Sequence, residues 1–362
     1  MISDAETLCA SIREYTMCKR PIQSLCLAGI ALCIAATALL AGPPSTTQPA
    51  RDMQPSRPKV LIPEYVPQFA TGYEPDEITA SPLNEITWMT YENISAHPDA
   101  SPWAMSVFYE NPGNVTDRYA RVIPDPTLDK NDPENQVLHY WLQNAVIESG
   151  FQNHTKGRIQ TGFPGQLVDA FEVYSRQRIF IHEDINLLHT YPPNADQWWK
   201  GVTIQELWMG AAWEGHPNPS RISLIMFSFN NTIHLAIDHQ TMPDLGEVWS
   251  EYNIDFALPI GEWFTIEVGT KSGNANNGRV VVKLTPQSTG ITTTLFDVIN
   301  WTYHPAADQP GGTGPVPMTH WNPQKLYSSD NVIHHIRDHG GTLQAYFDDF
   351  AFSGHWPIGW SQ

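Results

Sequence analysis

Hydrophobic residues along this chain recur mostly with a period of two. The runs at 137–147 (VLHYWLQNAVI), 170–181, 202–209, 221–229, 232–238, 262–270, 278–285, 292–299 and 342–352 are short and rich in Val, Ile, Thr and aromatic residues. Gly, Pro, Asn or Asp lies between them, which is the pattern of strands joined by turns. The clearest unit is EWFTIEVGTKSGNANNGRVVVKLT (262–285), two alternating runs around Asn276-Asn277-Gly278, a hairpin signature. Helical periodicity is confined to two short stretches, 196–201 and 331–338. The 30 prolines are scattered, and each one breaks a helix interior. The pattern predicts an all-β protein: a two-sheet antiparallel β-sandwich of jelly-roll type with long loops.

One run carries unusual chemistry. In VYSRQRIFIH (173–182), placing Val173, Ile179 and Ile181 in the core turns Tyr174, Arg176, Arg178, Phe180 and His182 to the opposite face. Guanidinium forks beside aromatic rings suit the carboxylates and ring faces of an anionic polysaccharide. The competing reading pairs the arginines with acidic residues on neighbouring strands, with Glu172, Glu206 or Asp238 as the candidates.

Composition sharpens this. The chain has 362 residues, 20 Lys+Arg and 38 Asp+Glu, a formal net charge of −18. Such an acidic balance argues against general nucleic-acid binding, which draws on surplus positive charge. The four cysteines, Cys9, Cys18, Cys26 and Cys33, all precede residue 34. Around the last two lies an apolar run, LCLAGIALCIAATALLAG, behind Lys19 and Arg20 and ahead of small residues, as in a bacterial signal peptide. Residues 1–42 are therefore expected to be an export leader, with Met17 as an alternative start. An uncleaved membrane anchor over 22–41 is the competing reading. Pro43 stands where a lipoprotein would need a cysteine. Residues 43–60, rich in Pro, Ser and Thr, read as a spacer. Residues 61–362 read as one cysteine-free domain, secreted to the periplasm or cell surface.

Three segments carry a family resemblance. YSRQR (174–178) is similar to the arginine-bearing strand of alginate-lyase-like proteins. NPQKLYSSD (322–330) resembles the segment before the last strand of heparin-lyase-like and laminin-G-like domains. TLQAYFDDFAFSG (342–354) resembles their closing strand. Together they resemble the concanavalin A-like lectin/glucanase superfamily over roughly residues 90–355. The resemblance implies a polysaccharide held on a concave sheet by Tyr174, Arg176, Arg178, Gln205, Glu206 and Trp208. The polysaccharide-lyase members neutralise a uronate carboxylate with Arg, Gln or Asn and move protons with His and Tyr. VTIQELW (202–208) resembles their strand with Gln and His two residues apart. Gln205 matches the Gln, and Leu207 stands where the His would be. His234 or His182 is then the candidate base, and Tyr327 or Tyr346 the candidate acid. The carboxylate spacing of the glucanase branch, E-x-D-x-x-E, does not occur.

No cofactor is required by this reading. Asp348 is a candidate ligand of a structural Ca²⁺, an ion that favours hard oxygen donors. As neighbours in a strand, Asp348 and Asp349 are expected to point to opposite faces. HHIRDH (334–339) places His335 and His339 on one helix face without the H-E-x-x-H spacing of a zinc enzyme. Trp198, Trp199, Trp208 and Trp213 are candidates for stacking on sugars. Three functional readings stay open: polysaccharide binding, cleavage of a uronate-containing glycan by β-elimination, and a non-catalytic adhesion domain. The oligomeric state is not legible.

Overall fold

In the strand Glu172–Ile181, Val173, Gln177, Ile179 and Ile181 are buried, while Arg176, Arg178 and Phe180 are half-buried. The period of two thus orients this strand as its sequence implies, and the same rule builds both layers of the fold. The structure, a computed structural model, describes residues 69–73, 78–79, 85–86, 90–96, 105–109, 113–114, 116–128, 135–147, 155–162, 170–192, 201–211, 213, 215–242, 244–357 and 359–360. The expected leader, spacer, Trp198 and Trp199 lie outside the described residues. All the described residues fall within Val60–Gln362, which groups as one compact unit. No helix among the described residues is long and apolar enough to cross a membrane.

The protein is an antiparallel β-sandwich of jelly-roll type. The first sheet runs in the order Thr293–Ile299, Arg279–Pro286, Trp263–Lys271, Glu172–Ile181, Leu343–Ser353, Gln136–Leu142, Arg118–Pro124, with Phe69–Thr71 paired to Leu343–Ser353. The second runs Glu247–Asn253, Thr232–Thr241, Ser220–Phe229, Val202–Met209, Lys325–Ser329, Thr155–Gly162, Met105–Tyr109, Thr90–Ala96, Ile78–Thr79. Met318–Asn322 adds to Val202–Met209 beside Lys325–Ser329. Ile179, Phe264, Ile266 and Phe347 from one sheet meet Ile204, Leu207, Leu224 and Leu235 from the other in a single core. Apolar side chains filling the space between two sheets are the main stabilising element of such sandwiches.

Turn chemistry fixes the register. Between Trp263–Lys271 and Arg279–Pro286, the Asn274 carbonyl accepts from the N–H groups of Asn277 and Gly278. A Cβ on Gly278 would lie 2.2 Å from the Asn300 carbonyl oxygen, so only glycine fits. Asn230 and Asn231 both take positive φ, 49° and 58°, closing a two-residue hairpin from Ser220–Phe229 to Thr232–Thr241. Asparagine tolerates that conformation better than most residues. The stretch 331–338 is the helix Asp330–Asp338, capped by the Ser329 hydroxyl accepting from Val332 N–H. Glu183–Thr190, not foreseen from periodicity, is a 3-10 helix beginning at His182.

His239, on Thr232–Thr241, pairs with Ile222 and Trp249 and is fully buried on the core side. Burial, with His304 nearby, pushes its pKa down to about 3. The folded protein therefore keeps it neutral while the unfolded chain protonates below about 6.5. Stability present above pH 6.5 is lost as pH falls toward 3. Urea unfolding of His239→Leu is expected to show about 3 kcal/mol less loss between pH 6.5 and 4 than the wild type.

Candidate functional site

The site grows from a bulge. On Val202–Met209 the pairing with Ser220–Phe229 shifts between Thr203 and Gln205. Thr203 lies opposite Ile225, and Gln205 opposite the core residue Leu224. Beyond the bulge Glu206 faces Ser223, and Trp208 faces Arg221, on the outer side of the second sheet. Lys325 and Tyr327 flank the core residue Leu326 and share that outer side. Arg158 pairs with Tyr327 across the next strand.

These residues form one charged bed. Glu206 Oε1 accepts from the Arg221 guanidinium at 3.1 Å, and Oε2 accepts from Trp208 Nε1 at 3.0 Å and from the Lys325 ammonium. Arg221 also donates twice to Gln240 Oε1, at 2.8 and 3.2 Å. The Arg158 guanidinium lies 4.6 Å from the Tyr327 ring centre and Lys325 Nζ 4.9 Å from it. Glu206 and Lys325 are buried, with side chains 2% and 0% exposed. Burial alone would raise the Glu206 pKa, but Lys325, Arg221 and Arg158 outweigh it and hold the carboxyl at about 2. Burial pushes the Lys325 ammonium down to about 7; Glu206 opposes that shift, and Arg158 and Arg221 add to it. An amine near neutrality is able to take up or release a proton at physiological pH.

A cavity of about 810 Å³ adjoins the bed. Asp238 and Gln240 border it on the bed side, Phe227 and Tyr252 line it farther along the sheet, and His189 and Tyr191 close it beside the 3-10 helix. Burial pushes Asp238 up to about 6, with Glu206 and Glu247 adding to the shift and Arg221 and Ser223 opposing it.

Not all the sequence-predicted residues meet here. Glu206, Trp208 and Tyr327 belong to the bed. His234 lies on the same outer face, but its Nδ1 donates to the Phe256 carbonyl at 3.0 Å. Its level, at Phe227, is three strand-to-strand steps from Tyr327, roughly 14 Å at usual strand spacing. His234 and Tyr327 therefore do not flank one sugar. Gln205 opposes Leu224 and Leu207 sits in the core. The bulge puts both on the core side, which explains the leucine where the resemblance implies a histidine.

Tyr174, Arg176, Arg178 and Tyr346 lie on the first sheet, so the single groove expected to join them to Gln205 is not formed. Arg178 donates to Asp348 at 2.9 Å and to Gln287 at 3.0 Å, and its guanidinium lies 4.7 Å from the Trp263 ring centre. Its acidic partner is thus Asp348, rather than Glu172, Glu206 or Asp238. The Tyr174 hydroxyl donates to Glu267, and Trp360 packs edge-on against its ring. Arg176 pairs in the ladder with Glu267 and Ala351. Tyr346 stacks on His139 at 4.2 Å, and burial raises its pKa to about 12. His182 caps the 3-10 helix and accepts from Asp184 N–H.

Asp348 and Asp349 do not point to opposite faces. A bulge lies there, with Asp349 at φ 47°, and both carboxylates approach Arg178, at 2.9 and 3.6 Å. Asp348 is thus paired with the Arg178 guanidinium. Among the described residues no group of three or more His, Cys, Asp or Glu is placed to hold a metal. His335 and His339 lie with ring centres 4.1 Å apart and their planes tilted by 41°.

Sequence reasoning missed Lys325, Arg158 and Arg221. Each lies on a strand whose polar residues face outward. Lys325–Ser329 has too few apolar residues to register as alternation, and Thr155–Gly162 reads as polar.

No protein-family model matches the chain, and no curated sequence is significantly similar to it. Among solved structures, it is similar to alginate lyase Aly36B at 12% identity and TM-score 0.37, covering 66% of this chain and 84% of that one. It is similar to the endo-β-1,4-glucuronan lyase of the fungus Trichoderma reesei at 12% identity and TM-score 0.37, covering 65% and 86%. It is similar to the PL-14 alginate lyase of Aplysia kurodai at 9% identity and TM-score 0.34, covering 65% and 86%. The chemistry of the site rests on its own residues.

Removing Glu206 leaves Lys325 and Arg221 buried without their counter-charge. Denaturant unfolding of Glu206→Gln is expected to show a loss of about 3 kcal/mol or more. The double variant Glu206→Gln/Lys325→Met is expected to lose less than the sum of the two single variants.

Proposed function

We propose that the protein binds an acidic polysaccharide along the outer face of the second sheet, with sugar carboxylates meeting Arg158 and Arg221 beside Lys325. The observation that carries this reading is the charge of the bed. Three cationic side chains gather around one carboxylate, Glu206, in a chain of net charge −18. Arg221 and Lys325 share the one carboxylate Glu206, and a cationic cluster of this kind suits an anionic ligand. Guanidinium groups recognise carboxylates through paired hydrogen bonds, and the exposed Trp213, packed edge-on against the buried Trp208, supplies a ring nearby.

A specific observation favours catalysis as a second reading. Lys325, with its pKa near 7, stands beside Tyr327 and Arg158. The Lys325 amine and the Tyr327 ring are buried, so a β-elimination requires the bed to open and admit the sugar; the neutral Lys325 amine then takes the C5 proton of a uronate whose carboxylate Arg158 neutralises. The C4–O bond breaks, a C4–C5 double bond forms, and the Tyr327 hydroxyl donates its proton to the departing oxygen.

Retention of the full chain on polysaccharide gels tests binding. Arg158→Ala is expected to lower affinity for uronate polymers at least tenfold, whereas Arg178→Ala, held by Asp348, leaves it unchanged. Equal loss in both variants contradicts the placement. Catalysis is followed by the ultraviolet absorbance of unsaturated uronates. A rise that increases with pH through about 7 and falls at least 100-fold in Lys325→Arg supports elimination. Retention without any rise leaves a binding protein.

A further inference from the structure

The cavity beside the bed differs from the bed in chemistry. Among the described residues that line it there is no lysine or arginine, but there are two carboxylates, Asp238 and Glu247. Its far side is aromatic. Phe227 and Tyr252 meet edge to face with ring centres 5.5 Å apart, and Phe229 also lines the space. Tyr252 is 61% and Phe229 41% exposed, so these rings present open faces. Asp238 is half-buried at the edge of this space, close to Ser223.

The ladder sets the order in which an extended ligand meets these groups. One row runs Glu206, Ser223, Asp238, Ser250, and the next runs Trp208, Arg221, Gln240, Glu247. From Lys325–Ser329 to Glu247–Asn253 there are four strand-to-strand steps, roughly 19 Å at usual strand spacing. That length takes several sugar units. A carboxylate seated on Arg158 or on Arg221 lies at the cationic end. A second carboxylate farther along would face Asp238 and Glu247, and like charges brought together oppose binding. An uncharged sugar meets no such penalty there. Its apolar ring face packs on Tyr252 and Phe227, and a hydroxyl donates to the Asp238 carboxylate.

We infer that the ligand is a mixed polysaccharide, in which a uronic acid is joined to an uncharged sugar, rather than a polymer of uronic acid alone. The bed selects the carboxylate and the cavity selects against a second one. This inference rests on the acidic-polysaccharide reading above.

The test is equilibrium binding of the full chain to two sets of probes. The mixed polymers are hyaluronan, chondroitin and rhamnogalacturonan; the homopolymers are polyglucuronate, alginate and polygalacturonate. At least one mixed polymer is expected to bind about tenfold or more tightly than every homopolymer. The exposed variant Tyr252→Ala is expected to weaken that mixed polymer about five- to tenfold and leave the homopolymers unchanged. Glu247→Lys is expected to narrow the difference by strengthening homopolymer binding. A homopolymer that binds as tightly as the best mixed polymer, or a Tyr252→Ala loss equal for both sets, overturns the inference while leaving the acidic-polysaccharide reading in place. Binding of neither set, or binding indifferent to Arg158→Ala, overturns both.

Discussion

A single buried carboxylate organises the second sheet. Glu206 accepts from Lys325 on one neighbouring strand, Arg221 on another and Trp208 on its own. Lysine and arginine are seldom buried without a partner, so Lys325 and Arg221 can occupy this face only because Glu206 is ionised among them. The electrostatics are mutual: the cations hold Glu206 at a pKa of about 2, and burial brings Lys325 to about 7. The outcome is a face with fixed positive charge and a titratable amine on a protein whose overall charge is strongly negative.

The two sheets use their arginines in different ways. On the first sheet, the bulge at Asp348-Asp349 closes both carboxylates on Arg178, while Gln287 and Trp263 take up the rest of its reach. That arrangement is locally neutralised and ties the closing strand to its neighbours. On the second sheet, one carboxylate is set among three cations, with a large cavity alongside. The same side-chain chemistry is therefore a staple on one face and a candidate ligand contact on the other. Arg178 is held by two carboxylates, whereas Arg221 shares Glu206 with Lys325.

Much of the fold was legible because alternation reports burial directly. Val173, Ile179 and Ile181 face the core, and Asn276-Asn277-Gly278 makes its turn. The site was harder to read for two physical reasons. Bulges break the period of two at the positions where function was sought: at Thr203–Gln205 one turns Gln205 and Leu207 to the core side, and at Asp348-Asp349 one gathers side chains expected to diverge. The bed also draws on residues far apart in sequence, from Arg158 to Lys325, that only sheet order makes neighbours. Glu206 came up as a possible arginine partner, Trp208 as a stacking candidate and Tyr327 as a candidate acid, whereas Lys325, within the NPQKLYSSD segment, was not singled out because alternation in so short a strand gave no signal.

The most direct test is a crystal structure of the full chain with an oligosaccharide that contains a uronate. The account predicts a sugar carboxylate within hydrogen-bond distance of Arg158 or Arg221, with the chain running over Asp238 toward Tyr252. An oligosaccharide seated on the first sheet beside Arg176 and Arg178, with the Glu206 bed empty, would contradict it.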